Sequence, residues 1–465
     1  MRMDFGHMRA FVRRVHFVGI GGVGMSGIAE VLANLGYRVS GSDLKATEIT
    51  RRLQGAGVRV FKGHEPGHVR GAQVVVISSA VRPGNPEVRA ARRAGVPVIL
   101  RAQMLAELGR MKQTVTVAGS HGKTTTTAMA AMALSGAGAQ PTMIVGGQIK
   151  NIGSSARLGL GGHLVAEADE SDGSFVHLDP LVAVVTNIDN DHLDYHGNMD
   201  NLRAAFAQHL SRLPFYGAAV LCADDAELRR LRRSLRVPVI DYGILRPAVW
   251  QARGIRLDKY GSRYDAFHLG RRAVRVRLRV PGRHNVLNSL AALAAGRFLG
   301  FPLRGLARGL AAFRGVGRRL DRLGAAGGVE FVDDYGHHPS EVRVAVDAVA
   351  TLWRGKRTVV IFQPHRYTRT KLLADDFGPA FRKADFVFVM DVYAAGEAPL
   401  AGVSSRLILD SLRRSGVACA PFSGSLDVLR RLRRGDVVLT LGAGDVWKTG
   451  LDLNRRLKSE LASPV

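Results

Sequence analysis

Residues 115–127 read V-T-V-A-G-S-H-G-K-T-T-T-T. The β-branched run at 114–117 predicts a buried strand. Gly119, Ser120, His121 and Gly122 predict a tight turn, and Lys123 leads into a helix expected to reach residue 133. Strand, glycine turn, lysine and hydroxyl at a helix start make a phosphate cradle, in which backbone N–H groups and the helix N-terminus face the anion. The expected ligand is ATP, held by Gly119, Ser120, His121, Gly122, Lys123, Thr124 and Thr125. The Lys123 ammonium would reach the terminal phosphates, and Thr124 would ligate Mg2+. The usual eight-residue pattern has a glycine where Val117 stands, so this loop is a shortened variant. Strings of this kind also occur in idle turns; the strand before and the helix after favour the nucleotide.

Working outward, the 465 residues allow about three domains, each with its own core. The two cysteines, Cys222 and Cys419, lie far apart and fit no metal spacing or disulfide framework, which points to a reducing cytoplasm. The first fourteen residues hold Arg2, Asp4, Arg9, Arg13 and Arg14 and no apolar core for a signal peptide. No stretch is long enough for membrane insertion. The net charge of +27 raises the question of nucleic acid. The excess is mostly arginine and spread out, and its densest clusters, at 229–236 and 430–434, alternate with leucine as solvated helix faces do. No aromatic residues interleave with them to stack bases. Anionic small molecules are therefore the expected partners, and nucleic acid is not.

The chain opens with an apolar strand at 15–18 that runs into Gly19-Ile20-Gly21-Gly22-Val23-Gly24, a helix expected at 25–35, and a strand at 37–40 ending near Asp43. This is the dinucleotide fingerprint of a Rossmann-like unit. NAD is its default ligand, and a nucleotide-sugar diphosphate presents the same pyrophosphate and ribose. Strands at 74–77 and 96–99 would complete an open sheet, with Ser78 and Ser79 at a carboxyl end, where such sheets bind ligands or simply cap strands.

A second unit begins near 109–113. Its second strand, expected at 163–166, ends at Glu167 in E-A-D-E-S-D, and a third, at 181–185, leads to T-N-I-D-N-D-H-L-D. Both acid-rich segments follow strands of one sheet, so they could converge beside the phosphates. Glu167 and a neutral His192 suit magnesium ions bridging ATP oxygens. Asp169, Asp172 and Asp194 read equally well as turn caps or arginine partners. Residues 222–281 read as strands and turns without chemistry. Asn285 and Asn288, one turn apart before a helix at 289–298, can share a face and hold a nucleotide or substrate; Asn285 can also cap. A Gly/Arg-rich hinge at 314–319 leads to a third open parallel sheet, with strands at 329–332, 358–362, 386–390 and 437–441 and polar clusters at their ends.

Taken together, G-I-G-G-V-G-M-S-G-I-A, G-S-H-G-K-T-T-T-T, E-A-D-E-S-D, T-N-I-D-N-D-H-L-D, H-N-V-L-N-S, D-D-Y-G-H-H-P, Q-P-H-R-Y-T-R-T and D-V-Y-A-A-G-E resemble the Mur ligase family over nearly the whole chain. Ser120 departs from the family's usual threonine and keeps the hydroxyl. The resemblance implies an α/β protein of three domains. These are a Rossmann-like domain for UDP-N-acetylmuramate at 1–110, a central P-loop ATPase-like domain with a mostly parallel sheet at 111–317, and a C-terminal Rossmann-like domain at 318–465 that binds L-alanine and closes on ATP. It implies ATP-dependent ligation of L-alanine to the lactyl carboxylate of UDP-N-acetylmuramate through an acyl phosphate, in the cytoplasm, by a monomer or homodimer.

The residues it implies are Lys123, Asn285, Asn288, Arg319, Asp334 and His337 for catalysis, with Mg2+ held by Thr124, Glu167 and His192. The UDP-sugar would meet Gly19, Gly21, Gly22, Gly24, Asp43, Ser78 and Ser79. L-Alanine would meet His337, His365, Arg366 and Arg369, a guanidinium being the natural partner of its carboxylate. One rival within the family is the ligase that recycles murein tripeptides, whose first glycine loop differs. An NAD-dependent oxidoreductase explains only the first loop, and a nucleic-acid-stimulated ATPase only the charge.

Overall fold

Three β-sheets follow one another along the chain in the computed structural model, which describes Met8 and residues 11–462, the side chains of Asp194 and residues 460–462 excepted. Arg2, Asp4 and Arg9, and the side chain of Asp194, thus lie outside the described residues. Among the described residues no helix is long and apolar enough to cross a membrane.

The first sheet is parallel, in the order β3-β2-β1-β4-β5, with β1 (Arg14–Val18), β2 (Arg38–Asp43), β3 (Arg59–Lys62), β4 (Val74–Ile77) and β5 (Val98–Leu100). This is a Rossmann-like arrangement. The strand expected at 96–99 starts later because the Val96 N–H is taken by the Ala91 carbonyl at the end of the preceding helix. Beneath the sheet's rim, buried Glu87 receives Ser42 Oγ at 2.5 Å, His68 Nδ1 at 2.7 Å and His64 Nδ1 at 3.3 Å. Burial opposes its charge, but nearby His16, whose Nε2 lies 3.7 Å away, and the bonds from Ser42 and His68 hold the carboxyl down at about 2.

The second sheet contains β6 (Gln113–Ala118), β7 (Thr142–Ile149), β8 (Ser154–Arg157), β9 (His163–Glu167), β10 (Val182–Val185), β11 (Ala218–Cys222), β12 (Val239–Gly243), β13 (Trp250–Asp258), β14 (Gly261–His268) and β15 (Arg271–Leu278). Its order is β15-β14-β13-β12-β11-β10-β6-β9-β7-β8, mostly parallel, with β6 between β9 and β10. The strand carrying Glu167 is therefore the fourth of this sheet, not the second. The pair β7 and β8 is not legible in the sequence because Gly146 and Gly147 break the hydrophobic alternation of β7, and β8 reads S-S-A-R. Residues 222–281 also hold a helix, Ala226–Arg232, capped by Asp225. It ends at Arg232, so the arginine cluster at 229–236 is helical only in its first half; the helix Ser425–Arg431 likewise stops short of Arg434.

Two helices anchor the phosphate loop from behind. The helix α1 (Lys123–Gly136) packs against α2 (Arg283–Phe298) and α3 (Leu303–Ala312). Gly136 and Gly309 allow the close approach: a Cβ on either would collide with the other helix's backbone.

The third sheet runs β16-β17-β21-β18-β19-β20, from β16 (Asp321–Ala326), β17 (Val329–Asp334), β18 (Thr358–Phe362), β19 (Phe386–Val389), β20 (Cys419–Pro421) and β21 (Val437–Leu441). Only β16 is antiparallel; it was not anticipated, since its D-R-L-G-A-A carries a glycine and little apolar alternation. By contact density the chain forms two compact units. One holds the residues up to Arg256 with Ser262–Arg314, the other Leu257–Gly261 with the residues from Gly315 onward. The Gly/Arg-rich run at 314–319 contains that boundary.

Candidate active site

The register of the second sheet assembles the first half of the site. Val117 lies opposite Glu167 on β9, and Ala118 opposite Val185 on β10, so both acid-rich segments leave the sheet beside the loop that follows β6. Gly119 (φ +125°) and Gly122 (φ +81°) need conformations that L side chains rarely adopt. A Cβ on Gly119 would also collide with Thr186 Oγ1. The loop is braced by the other segment: His121 N–H donates to Asn187 Oδ1 at 2.8 Å, Asp189 N–H to Ser120 Oγ at 2.9 Å, and His121 Nε2 lies 2.8 Å from Asp189 Oδ2.

Lys123 Nζ donates to Gly119 O at 2.7 Å, Ser120 O at 3.2 Å and Glu170 Oε1 at 2.6 Å. Burial opposes its charge, but Glu170, Asp169 and Glu167 outweigh burial and keep it protonated. The acids respond differently. Burial and neighbouring Asp169 push Glu170 up to about 7 despite Lys123. Asp169 is only half-buried; desolvation opposes its charge, yet Lys123 and Arg101 hold it at about 2. Glu167 is raised by burial, and its two oxygens accept from Thr124 Oγ1 at 3.1 Å and Gly146 N–H at 2.6 Å.

A lysine on the loop, a hydroxyl touching a carboxylate, and a buried Glu170 Oε2 with no hydrogen-bond partner fit a nucleotide phosphate and a hard, oxygen-bound cation. Of the three residues expected at magnesium, Thr124 and Glu167 are in direct contact. His192 (φ +57°) starts the short helix Leu193–His196, its Nε2 3.6 Å from Asp191 Oδ2. Thr125 is buried in the first turn of α1.

Asn288 borders the same loop, since a Cβ on Gly122 would stand 3.0 Å from its Oδ1. Asn288 Nδ2 reaches Asn285 Oδ1 at 3.3 Å, so the two amides do share a face. The helix starts earlier than expected, at Arg283. Gly282 (φ +102°) is its N-cap, and Asn285, one turn inside, donates to Pro281 O at 2.6 Å instead of capping.

On the first sheet, Gly21 N–H donates to Asp43 Oδ2 at 2.9 Å and Lys45 N–H to Asp43 Oδ1 at 3.1 Å, so Asp43 shapes the glycine loop and retains lone pairs for a ligand. Gly19 (φ +79°) bonds Ser42 O through its N–H, Gly22 caps the helix Val23–Asn34, and Gly24 lies in its first turn. Ser78 is half-buried and Ser79 exposed, in the turn after β4 whose Val81 packs near Gly19. Arg101, missed in the sequence, joins this loop to the acidic segment. Its Nη1 lies where a Cβ on Gly24 would be, and its Nη2 donates to Asp169 Oδ2 at 3.1 Å. A cation directly after a strand's carboxyl end was the available signal. For Glu170 it was a second acid in the motif already quoted.

The second compact unit builds its own cluster. Asp334 Oδ2 accepts from Leu320 N–H and Oδ1 from Gly336 N–H, both at 2.8 Å, and burial raises it to about 6 against the pull of Arg319. Arg319 lies over the Tyr335 ring at 5.1 Å and 3.5 Å from Glu341 Oε1. Its neighbour Arg318 is occupied structurally by Asp333 and the carbonyls of Gly442, Ala443 and Gly444. His337 Nδ1 is 3.3 Å from Glu341 Oε2, and its ring packs edge-on to His365 at 5.3 Å. Burial, His337, Arg369 and Arg366 together hold His365 down at about 3, so it is neutral, and its buried Nδ1 has no partner. Arg366 takes a left-handed backbone (φ +69°), secured by its N–H on Tyr393 O at 2.8 Å. Such strain at a non-glycine residue gathers at functional sites. Glu341, which organises both Arg319 and His337, was not picked out from sequence.

Comparison with known proteins covers the same three segments. Family models match residues 14–113 (Mur ligase family, catalytic domain), 117–296 (Mur ligase middle domain) and 318–444 (Mur ligase, glutamate ligase domain). A UDP-N-acetylmuramate–L-alanine ligase of Acidithiobacillus ferrooxidans is 50% identical over 94% of this chain and 97% of its own. One from Endomicrobium trichonymphae is 47% identical over 95% of this chain and 98% of its own. The crystal structure of UDP-N-acetylmuramate–alanine ligase from Thermotoga maritima superposes with a TM-score of 0.81, at 30% identity, covering 96% of this chain and 99% of that one.

Proposed function

The chain belongs to the Mur ligase family, and from that premise we propose that it is an ATP-dependent ligase joining L-alanine to the lactyl carboxylate of UDP-N-acetylmuramate, in peptidoglycan precursor synthesis. What carries the reading is near-full-length identity of 47–50% to ligases of that name, together with a lysine loop flanked by Glu167 and Glu170. An oxidoreductase reading leaves the lysine loop without a role.

A carboxylate is a poor electrophile. In the proposed reaction, a lactyl carboxylate oxygen attacks the γ-phosphorus of ATP and the bond to the ADP oxygen breaks, giving an acyl phosphate. The neutral amine of L-alanine then attacks the acyl carbon. The tetrahedral intermediate expels inorganic phosphate, and the nitrogen loses its proton as the amide forms. Two anions meet in the first step, so cations must neutralise the approach.

Lys123 would exchange its bonds to Gly119 O and Ser120 O for phosphate oxygens, with Ser120, His121, Gly122 and Thr125 completing the cradle. Thr124, Glu167 and His192 would hold Mg2+, which supplies further charge neutralisation when bound. Asn285 and Asn288 would orient the nucleotide or the reacting carboxylate, and Arg319 and Asp334 would serve the nucleotide. Arg366 and Arg369 would take the alanine carboxylate. His337 and neutral His365 would offer imidazoles at the amine. Gly19, Gly21, Gly22, Gly24, Asp43, Ser78 and Ser79 would receive the UDP-sugar. We further propose domain boundaries near 110 and 317, a cytoplasmic location, and a monomer or homodimer.

The test is phosphate release with ATP, Mg2+ and UDP-N-acetylmuramate, with and without L-alanine, and with L-Ala-D-Glu-meso-diaminopimelate as the competing amine. Release that requires both the UDP-sugar and free alanine is expected. Release with the tripeptide alone would assign the protein to murein recycling instead.

A further inference from the structure

The ligase reaction leaves most of the positive charge without a role. From Arg275 to Val280 the sequence reads R-V-R-L-R-V. On β15 and the two residues after it, this alternation buries Val276, Leu278 and Val280 and exposes Arg275, Arg277 and Arg279. On β14, Tyr264 is buried and Arg263 exposed. The register sets Arg263 directly opposite Arg277, Asp265 opposite Arg275 and Phe267 opposite Arg272.

Asp265 pairs with Arg272 and Arg275, each at 3.0 Å. Among the described residues no carboxylate pairs with Arg263, Arg277 or Arg279. Like charges directly opposite on a strand pair cost stability, and here the cost is accepted on one face. Guarding the edge strand against aggregation does not account for it, because Arg263 lies on the inner strand β14.

At one end of this face two leucines project. Leu269, in the β14–β15 turn, is 69% exposed, and Leu245, in the loop before β13, is 75% exposed. They belong to the same end, because Leu269 N–H bonds Val249 O at 2.9 Å. On the face itself the Phe267 ring is covered by the Arg253 guanidinium at 4.6 Å and offers no stacking platform.

We propose that the outer face of β13–β15 docks reversibly on an anionic phospholipid surface. Guanidinium groups would pair with headgroup phosphates, and Leu245 and Leu269 would dip into the headgroup–acyl boundary. A cationic plane edged by apolar side chains is the chemistry of interfacial binding. With Phe267 covered by Arg253, Tyr260 in the β13–β14 turn already covered by Lys259 and Arg322, and leucines exposed at one end, the surface is a poor match to nucleic acid. The proposal is independent of the ligase assignment.

The experiment is co-sedimentation of the full chain with vesicles of phosphatidylglycerol and phosphatidylcholine, against vesicles of phosphatidylcholine alone. Binding is expected only to the anionic vesicles and should be lost in about 1 M salt, where screening is nearly complete. Arg263→Glu with Arg277→Glu should weaken it by at least about tenfold. The matching pair of lysine substitutions should retain it, and both variants should keep their melting temperature and phosphate-release activity. Equal binding to both vesicle types, no binding at low salt, or an unaffected glutamate variant would overturn the proposal. So would displacement from the vesicles by equimolar short DNA duplex.

Discussion

Lys123, which the proposed function sets against the ATP phosphates, is held by a buried acid, Glu170. Glu170 grips it at 2.6 Å inside a buried pocket where Glu167 and Asp169 also press on the lysine. Lys123→Ala should lower turnover at least about a hundredfold, as the loss of a buried transition-state cation does, in an assay at saturating ATP. Glu170 adds a pH dependence. Raised to about 7, it is neutral below that value and an anion above it, competing for Lys123 and repelling phosphate. Wild-type ATP affinity should therefore fall as pH rises through about 7, relative to Glu170→Gln measured in parallel; identical profiles would remove Glu170 from the site. Glu87 has the opposite sign. Its carboxyl lies at about 2 in the fold, against 4.5 for the free side chain, so its stabilisation is present above 4.5 and lost as pH falls through about 2. Glu87→Gln should cost up to about 3 kcal/mol in urea unfolding at pH 7 and progressively less toward pH 3.

At the level of elements, two glycine loops hold the site, each against a specific neighbour. Gly119→Ala would add left-handed strain, and its methyl would meet Thr186 Oγ1 and the Asn187 backbone. ATP binding should collapse while UDP-N-acetylmuramate binding, on the first sheet, persists; calorimetric titration with each ligand distinguishes them. Gly24 gives a sharper test. Its missing Cβ is the space taken by Arg101, whose other end reaches Asp169. Gly24→Ala should weaken UDP-sugar binding by displacing that guanidinium. In an Arg101→Ala background the same substitution should cost much less, a coupling a double-mutant cycle reads directly.

For the whole molecule, the residues proposed for the UDP-sugar and Arg319 belong to different compact units. Arg319→Ala should thus cut turnover at least about tenfold with UDP-N-acetylmuramate affinity little changed; equal losses in both would place Arg319 elsewhere in the reaction. The same scale separates what could be read from the chain. Local pattern announced the sheets' central strands, because buried parallel strands are near-continuous, largely β-branched apolar runs bounded by small or polar residues, as at Val74–Ile77 and Val437–Leu441. It also announced the two glycine loops, since positive φ and phosphate approach demand glycine itself. It missed β7 and β16, whose glycines erase the alternation, and the short, polar β8, and it placed the start of α2 late, which left open a capping role for Asn285 that the structure does not show. Glu170, Arg101 and Glu341 could not be ranked from spacing, because their importance comes from which distant side chains the sheets bring beside them. Sequence determined where the loops and strands lie, through short-range sterics and periodicity. Only tertiary structure decided which charges meet, because burial and the partners across a sheet set the cost of each charge.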